Sequence, residues 1–276
     1  MFLAPLRGVT IRCFRETFSR EIVEAGFKEA VTPFISANAG VDPLKDRELR
    51  GGPLPFRVTP QFIGKDPQAL KTCLERIKSA GCEYADLNAG CPFPMVRNKG
   101  RGSGLLKDSA KLAAMLEAGC ETMGEGKFSV KTRLGVERTD ELKMLMPLFN
   151  AFPLRFIVVH ARTAKEMYSG KPHMEEFEEV KRLSRNRVIY NGDAPFPLES
   201  DEVMLGRPFV RALGARVDSR ELLSRYIAAS VQELGGGPGA VGRIKELVAY
   251  WKDLPRWEKL WPVLKLARTV KELEAL

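Results

Sequence analysis

The segment CEYADLNAGCP, residues 82–92, joins an apolar stretch that can form a β-strand to a turn that carries polar and reactive side chains. Residues 82–87 can be extended, whereas Gly90 and Pro92 interrupt any regular element, so Cys91 is predicted to lie on a turn at the end of a strand. Catalytic groups often lie on turns that a rigid scaffold holds. A free cysteine can equally be a small buried packing residue, and this segment alone leaves both interpretations open.

Short apolar stretches of the same kind recur along the chain, with patterns typical of amphipathic helices between them, such as 66–80 and 109–122. Strands that alternate with helices indicate a parallel sheet, and eight of them favour a closed barrel over an open sheet. The predicted fold class is therefore α/β, a (β/α)8 TIM barrel. Its predicted strands are 2–4, 28–31, 57–63, 84–87, 128–131, 156–159, 188–190 and 203–205.

The seventh βα unit is shortened. Only eleven residues separate Asn191 from Val203, and they include Pro195 and Pro197. This length is too small for a normal crossover helix between parallel strands. Either the barrel closes there through an extended connection, or the eighth strand is not 203–205.

The pattern changes after Pro208 to nearly continuous helix formers, with predicted helices at 219–234, 241–252 and 261–276. We therefore expect a barrel domain over 1–215 and a small all-helical C-terminal domain over 216–276. The latter interleaves cationic side chains with tryptophans, namely Arg243, Lys245, Lys252, Arg256, Lys259, Lys265, Arg268 and Lys271 with Trp251, Trp257 and Trp261. This mixture fits a nucleic-acid surface or a solvated face whose tryptophans lie between helices, and it does not decide between them.

Composition narrows the class of protein. The 276 residues are 44% hydrophobic and 29% charged, without a bilayer-spanning apolar stretch or a signal-peptide pattern, so a cytoplasmic protein is expected. Five dispersed cysteines and two histidines argue against a zinc site or a disulfide framework. The 44 Lys and Arg exceed the 35 Asp and Glu, and the net charge of +9 favours an anionic partner, most commonly nucleic acid.

Polar or special side chains lie at or after each predicted strand except the second. In a (β/α)8 barrel these carboxyl ends converge on one rim, where active sites form. One such residue could be an isolated loop side chain, but the whole series predicts a site. Its members are Pro5, Gln61, Asn88, Cys91, Lys131, Arg133, His160, Arg162, Asn191, Gly192, Asp193, Gly206 and Arg207.

These residues belong to motifs that together resemble the tRNA-dihydrouridine synthases, flavin enzymes that reduce particular uridines in transfer RNA. The resemblance covers most of the chain, although Leu6 and Ala161 depart from the family's usual Met and Gly. The segment 241–245 with its surrounding helices is also similar to the family's tRNA-binding bundle. The motifs are APLRGVT (4–10), DLNAGCP (86–92), KG (99–100), GSGLLKD (102–108), VKTRLG (130–135), HART (160–163), NGD (191–193) and MLGR (204–207).

The resemblance implies FMN as the cofactor, NADPH or NADH as a transient reductant, and tRNA as the partner. We also expect a monomer without metal or membrane association. It implies a catalytic role for Cys91. The residues that it implies for cofactor binding are Pro5, Leu6, Arg7, Gln61, Lys131, His160, Asn191, Gly192, Asp193, Gly206 and Arg207. For substrate binding we expect Asn88, Arg133, Arg97, Lys99 and Arg101, the last three on a glycine-containing loop, 95–106, that could close over the site.

The residue types suit that chemistry. The C5=C6 bond of uracil is conjugated to the C4 carbonyl, so C6 can accept a hydride if C5 is protonated, and the Cys91 thiol can act as the general acid. Asn88 offers an amide donor and acceptor to the uracil edge, and Lys131 offers a positive charge. Two alternatives stay open: an FMN barrel that acts on a free pyrimidine, and a non-catalytic RNA-binding relative.

Overall fold

The computed structural model of the protein describes residues 1–193 and 202–275. Every pairing between neighbouring strands is parallel. The strands are β1 (Phe2–Leu3), β2 (Glu29–Val31), β3 (Ile35–Ser36), β4 (Arg57–Thr59), β5 (Gln61–Ile63), β6 (Ala85–Asn88), β7 (Phe128–Gly135), β8 (Ile157–Thr163), β9 (Val188–Asn191) and β10 (Val203–Leu205).

The strands occupy eight positions of a closed barrel. β2 and β3 share one position, with residues 32–34 between them, and β4 and β5 share the next, with Pro60 between them. A proline cannot donate to a strand ladder, which explains why the predicted strand 57–63 is divided. β2 pairs with β4 and β3 with β5, while β1 pairs with both β2 and β10. The sheet returns to its first strand, and the predicted TIM barrel is confirmed.

The eighth strand is where the sequence predicted it. β10 pairs with β9 in a register that sets Val203 beside Tyr190 and Met204 beside Asn191. The barrel therefore closes despite the eleven-residue spacing. The shortened connection itself, at 194–201, lies outside the described residues.

The helices cover the outside of the barrel and continue beyond it. The side chain of Asp66 caps the helix Pro67–Ser79 by accepting hydrogen bonds from the backbone N–H groups of Gln68 and Ala69, and Pro67 occupies the first turn of this helix. Three 3-10 helices also occur, at Pro43–Lys45, Arg47–Leu49 and Gly102–Lys107. The α-helices are α1 (Arg12–Thr17), α2 (Ser19–Glu24), α3 (Pro67–Ser79), α4 (Pro94–Arg97), α5 (Ser109–Met123), α6 (Glu141–Phe149), α7 (Met174–Leu183), α8 (Arg207–Ala215), α9 (Ser219–Leu234), α10 (Pro238–Val248), α11 (Pro255–Glu258), α12 (Trp261–Leu264) and α13 (Val270–Glu274).

Two apolar clusters follow from the alternation of side chains along each strand. The larger one fills the space between strands and helices and runs without a break into the C-terminal helices, where it includes Trp251 and Trp257. The smaller one contains Val158, Ile189 and Met204 from inside the barrel. No helix among the described residues has the length and apolar character needed to cross a bilayer.

The C-terminal helices differ in part from the prediction. The expected continuous helix over 261–276 is wrong, because the chain forms two short helices, α12 and α13. Thr269 and Glu272 make a reciprocal capping box, so the sequence starts a new helix there instead of continuing the old one. The Trp251 and Trp257 indole N–H groups donate to carbonyls of α8, at 2.6 and 2.8 Å, so these tryptophans lie between helices.

Candidate active site

The predicted polar side chains converge at the carboxyl ends of the strands, a region called here the mouth of the barrel. Because Val158 and Ile189 belong to the inner cluster, His160 and Asn191 two residues later lie on the same inward side of their strands. Strand pairing sets His160 beside Asn191, and likewise Asn88 beside Lys131. The barrel therefore assembles in one ring residues that are far apart in the sequence.

Cys91 lies on the turn after β6, as predicted, and it is 7% exposed. Its backbone is held from both sides: its N–H donates to Asn88 Oδ1 at 2.9 Å, and its carbonyl accepts from the Ser103 N–H and hydroxyl at 3.1 and 2.9 Å. Burial raises the pKa of the thiol, although the nearby charges of Arg133 and Arg7 oppose this effect. The thiol is protonated at neutral pH, which is the form that can donate a proton.

The glycine-containing loop 95–106 forms a wall against Cys91. Gly102 has a φ of 56°, and a Cβ there would lie 2.8 Å from the Cys91 Cβ. Arg101 donates to the Asn38 side chain at 2.8 Å, which ties the loop to the segment after β3. Arg97 and Lys99 make no side-chain hydrogen bond or ion pair within residues 1–193 and 202–275, so their charges are available to a ligand. Closure of the loop over the site stays a prediction.

Lys131 extends from β7 into the mouth, and no side-chain hydrogen bond or ion pair joins its amine to any other described residue. Burial lowers the pKa of Lys131 to about 7, and the neighbouring Arg133 charge acts in the same direction. Asp86 offsets part of this shift. The unpartnered amine is suited to meet an oxygen or a negative charge on a ligand.

This pKa predicts how stability depends on pH. Between about 7 and the ordinary lysine value of 10.5 the unfolded chain binds more protons at this site than the folded protein does. Stability therefore rises with pH in that window, with a slope of at most about 1.4 kcal/mol per pH unit. We expect the free energy of unfolding of the cofactor-free protein to rise more steeply from pH 7 to pH 9 than that of Lys131→Met, as measured by urea denaturation. Parallel curves for the two proteins would contradict a lowered pKa for this half-buried amine, which has no partner among the described residues.

Arg133 fixes the shape of the mouth through internal contacts. Its Nε donates to the carbonyl of Gly90 at 2.8 Å, and its Nη1 donates to the carbonyls of Thr163 and Met167 at 3.0 and 2.8 Å. Burial lowers the pKa of Arg133 to about 10, so it remains charged at neutral pH. Most of its donors are used inside the protein, and its first effect is to hold the turn that carries Cys91.

His160 is a neutral imidazole in this environment. Burial and the charges of Arg133 and Lys131 lower its pKa far below the ordinary value. The Nη1 of Arg133 lies 3.1 Å from His160 Nδ1, and a guanidinium can only donate, so Nδ1 is the acceptor. The ring proton therefore resides on Nε2, which leaves His160 an N–H donor.

A second cationic group surrounds Asp193. Arg162 and Arg207 each donate to this carboxylate, at 2.7 and 2.6 Å. Arg162 is 2% exposed, and its buried Nη1 has no hydrogen-bond partner among the described residues. Gly206 precedes α8 and lies so close to Ala4 and Leu6 that a Cβ would be 3.1 Å from both side chains. An unsatisfied guanidinium beside a helix N-terminus fits a phosphate group.

The remaining residues predicted to bind the cofactor lie near Asp193 and Gly206. Pro5 and Leu6 are half-buried and Arg7 is exposed on the turn after β1, where the Leu6 N–H donates to the Thr10 hydroxyl at 2.7 Å. Asn191 donates to the Met204 carbonyl at 2.8 Å. The Cβ of any side chain at Gly192 would meet the Tyr190 hydroxyl oxygen at 2.4 Å.

Three side chains at the mouth were missed by sequence reasoning. Tyr168 is 42% exposed, and the guanidinium carbons of Arg133 and Arg207 lie 5.5 and 4.8 Å from its ring centroid. It follows Met167, whose φ of 55° is rare for a non-glycine residue and marks a constrained turn. Nothing in the sequence marks Tyr168 apart from its position eight residues after His160.

The other two come from the C-terminal segment, Glu246 from α10 and Tyr250 from the turn that follows it. The Glu246 carboxylate lies so close to Gly8 that a Cβ there would be 2.3 Å from its oxygens. Burial raises the pKa of Glu246, and the Arg7 charge opposes the shift. Tyr250 is near enough to Tyr168 and Glu246 for both to raise its pKa, after burial as the main cause. The C-terminal helices therefore reach the mouth of the barrel, which no local sequence pattern could indicate.

Comparisons with known proteins identify the family of the chain. The family model described as dihydrouridine synthase (Dus) matches residues 2–205. A probable tRNA-dihydrouridine synthase of Helicobacter pylori is 32% identical over 223 residues, which are 77% of this chain and 67% of that protein. The tRNA-dihydrouridine synthase B of Pseudomonas aeruginosa is 29% identical over 209 residues, 74% of this chain and 61% of that protein. The match thus spans less than two thirds of the Pseudomonas protein.

Solved structures share the barrel. A morphinone reductase mutant in complex with tetrahydroNAD has a TM-score of 0.54 at 10% identity, covering 76% of this chain and 83% of that one. An old yellow enzyme homologue from Zymomonas mobilis has a TM-score of 0.54 at 11% identity, covering 76% and 85%. At such identities these likenesses show the fold alone. The family match over residues 2–205 shows that this chain belongs to the dihydrouridine synthase family.

Proposed function

We propose that this protein is a tRNA-dihydrouridine synthase that uses FMN to reduce the C5=C6 bond of a D-loop uridine. The observation that carries the proposal is the position of Cys91, whose protonated thiol lies at the barrel mouth beside the Lys131 and Arg133 charges. Family membership supports the same activity, since the named relatives are tRNA-dihydrouridine synthases.

The residues present fit FMN. The unsatisfied Arg162 Nη1, Arg207 and the backbone at Gly206 would hold its phosphate. The free amine of Lys131 and the Nε2 donor of His160 would face carbonyl and nitrogen acceptors of the flavin ring, with Gln61 and the Pro5–Arg7 turn beside them. When bound, and once reduced by NADPH or NADH, FMN supplies the hydride that C6 of uracil accepts.

The chain's own groups complete the reduction. Cys91 donates its proton to C5 of the base, acting as a general acid. The contacts of Asn88 and Ser103 with its backbone hold the thiol in one place, so little motion is needed at the moment of transfer. The positive charge of Arg133, together with that of Lys131 in its protonated form, stabilises the negative charge that develops on the carbonyl side of the ring.

The substrate would meet the protein over a wide cationic area. Arg97 and Lys99 have no ion-pair partner among the described residues, and both lie on the loop beside Cys91. We propose that residues 216–276 act as a tRNA-binding domain next to the mouth. Two side chains of this segment, Glu246 and Tyr250, lie at the mouth itself. A uridine within folded tRNA has to leave its stack to reach Cys91, which costs a few kcal/mol. Contacts with phosphates offset that cost.

Binding of unmodified tRNA should therefore depend strongly on salt. We expect the logarithm of affinity to fall linearly with the logarithm of salt concentration, since each phosphate contact releases counterions. Arg97→Ala combined with Lys99→Ala should make the slope less steep by roughly 1 to 2 units, measured by filter binding. Lys127→Ala, an exposed position at the opposite end of β7, is the control and should keep the wild-type slope. Equal affinity at 50 and 200 mM salt would contradict a phosphate-contacting surface.

Mass analysis of tRNA provides the direct test of function. Unmodified tRNA treated with the purified protein, FMN and NADPH should gain two hydrogens at one D-loop uridine, and comparison with NADH will show which reductant is preferred. Gain of mass by free uracil or orotate but not by tRNA would replace this proposal with that of a free-pyrimidine enzyme. A protein that binds tRNA without holding FMN would instead be a non-catalytic relative.

A further inference from the structure

A directed series of hydrogen bonds joins the inside of the barrel to the backbone of Cys91. Gln61 Nε2 donates to Asp86 Oδ2 at 2.7 Å, and Asn88 Nδ2 donates to Gln61 Oε1 at 2.7 Å. Asn88 Oδ1 then accepts from the N–H groups of Cys91 and Gly90, at 2.9 and 3.2 Å. Asp86 itself is 0% exposed, so its carboxylate has no access to water.

The two ends of this series fix the direction of every bond within it. A carboxylate without its proton can only accept hydrogen bonds, and a backbone N–H can only donate them. The amide groups of Gln61 and Asn88 can each point in two ways, but only one orientation satisfies both neighbours. Ser129 donates to the other Asp86 oxygen at 2.6 Å, which keeps this carboxylate an acceptor on both sides.

The ionisation of Asp86 is compatible with this role. Burial raises its pKa to about 6, while the bonds from Ser129 and Gln61 and the Lys131 charge limit the rise and the Glu29 charge adds to it. The acid is therefore mostly ionised at neutral pH. The sequence alone indicates no role for Asp86.

We propose that Asp86 is a positioning residue that sets the orientation of the Asn88 amide through Gln61. Asn88 Oδ1 is then occupied by two backbone donors, and one Nδ2 hydrogen is already given to Gln61. What remains is a single N–H donor. This inference rests on the function proposed above: Asn88 donates a hydrogen bond to a carbonyl oxygen of the uracil and cannot accept one from the uracil N3–H. The sequence-based expectation that Asn88 offers both a donor and an acceptor is narrowed accordingly.

Exchanging the acid Asp86 and the amide Asn88 tests this proposal. Asn88→Asp puts a second carboxylate against Gln61, whose single amide nitrogen cannot serve both acids, so two oxygens face each other in a buried site. We expect its melting temperature to fall by roughly 5 °C. Asp86→Asn alone should cost less, because the Ser129 hydroxyl can turn to accept from the new amide.

The double variant Asp86→Asn with Asn88→Asp restores a complete series that runs in the opposite direction. The amide at position 86 donates to Gln61 Oε1, and Gln61 donates to the carboxylate at position 88, which still accepts from the Cys91 N–H. Its melting temperature should recover most of the loss seen in Asn88→Asp. Turnover of tRNA should stay reduced by about 100-fold or more, because the donor toward the base is gone. Glu125→Gln, at an exposed position before β7 and so at the end of the barrel away from the mouth, is the control and should change neither quantity.

These measurements distinguish the role of Asp86 from that of Asn88. A double variant no more stable than Asn88→Asp would overturn the role of Asp86. A double variant with wild-type turnover would overturn the donor assignment of Asn88. The melting temperatures can be compared whether or not the protein is active, so they test the role of Asp86 independently of the proposed function. If the wild-type protein left tRNA unchanged, that result would count against the proposed function and not against the role of Asp86.

Discussion

Cys91→Ala is expected to lower turnover of tRNA by about 10² to 10⁴-fold while flavin colour and tRNA affinity stay close to those of the wild type. General acid catalysis contributes on this order, and the methyl group of alanine has no proton to give. The backbone contacts of Cys91 with Asn88 and Ser103 do not involve the thiol, so the turn should keep its shape. Single-turnover reduction of tRNA under anaerobic conditions measures the effect on the chemical step.

A matched cysteine controls for nonspecific effects of the substitution. Cys82 precedes β6, whereas Cys91 follows it, so the two thiols lie toward opposite ends of one strand. Cys82→Ala should retain wild-type turnover. If Cys91→Ala also retained it, the assignment of the thiol as proton donor would be wrong.

Gly102→Ala is expected to be nearly as damaging, although the residue carries no functional group. The added Cβ would lie 2.8 Å from the Cys91 Cβ and 3.0 Å from its carbonyl oxygen. Neither atom can move alone, because Ser103 holds that carbonyl. Displacement of a catalytic group by about 1 Å can cost 10²-fold in rate. We expect a loss of turnover of that size, measured together with the melting temperature.

Gly100→Ala is the control that distinguishes the contact with Cys91 from the cost of the left-handed backbone conformation. Gly100 has a φ of 70° on the same loop, but the nearest atom to its Cβ would be the Lys65 Cδ at 3.9 Å. Both substitutions carry the left-handed backbone cost of roughly 1–2 kcal/mol, so both should lower the melting temperature. The large loss of turnover should occur in Gly102→Ala alone. Equal turnover in the two variants would mean that the loop does not position Cys91.

Much of the fold could be predicted because its signals are local. Each barrel strand is a short apolar stretch that ends in a turn residue, and 203–205 was found in this way despite its short spacing from β9. The division of 57–63 at Pro60 and the break between α12 and α13 were not predicted, although Pro60 and the Thr269–Glu272 capping pair are visible in the sequence. A strong apolar or helical pattern around such a residue conceals the interruption.

By itself the sequence determined which strand-end residues gather at the mouth, because parallel strands of one barrel end on the same rim, and residues such as Lys131 and His160 follow from their order along the chain. Only the tertiary structure decided what these residues do to one another. In the folded protein Arg133 donates to Gly90 and His160, and Asp86 sets the orientation of the Asn88 amide. Glu246, from the C-terminal helices, lies against Gly8. Hydrogen-bond partners and pKa values depend on distances across the closed barrel, and no spacing along the chain specifies those.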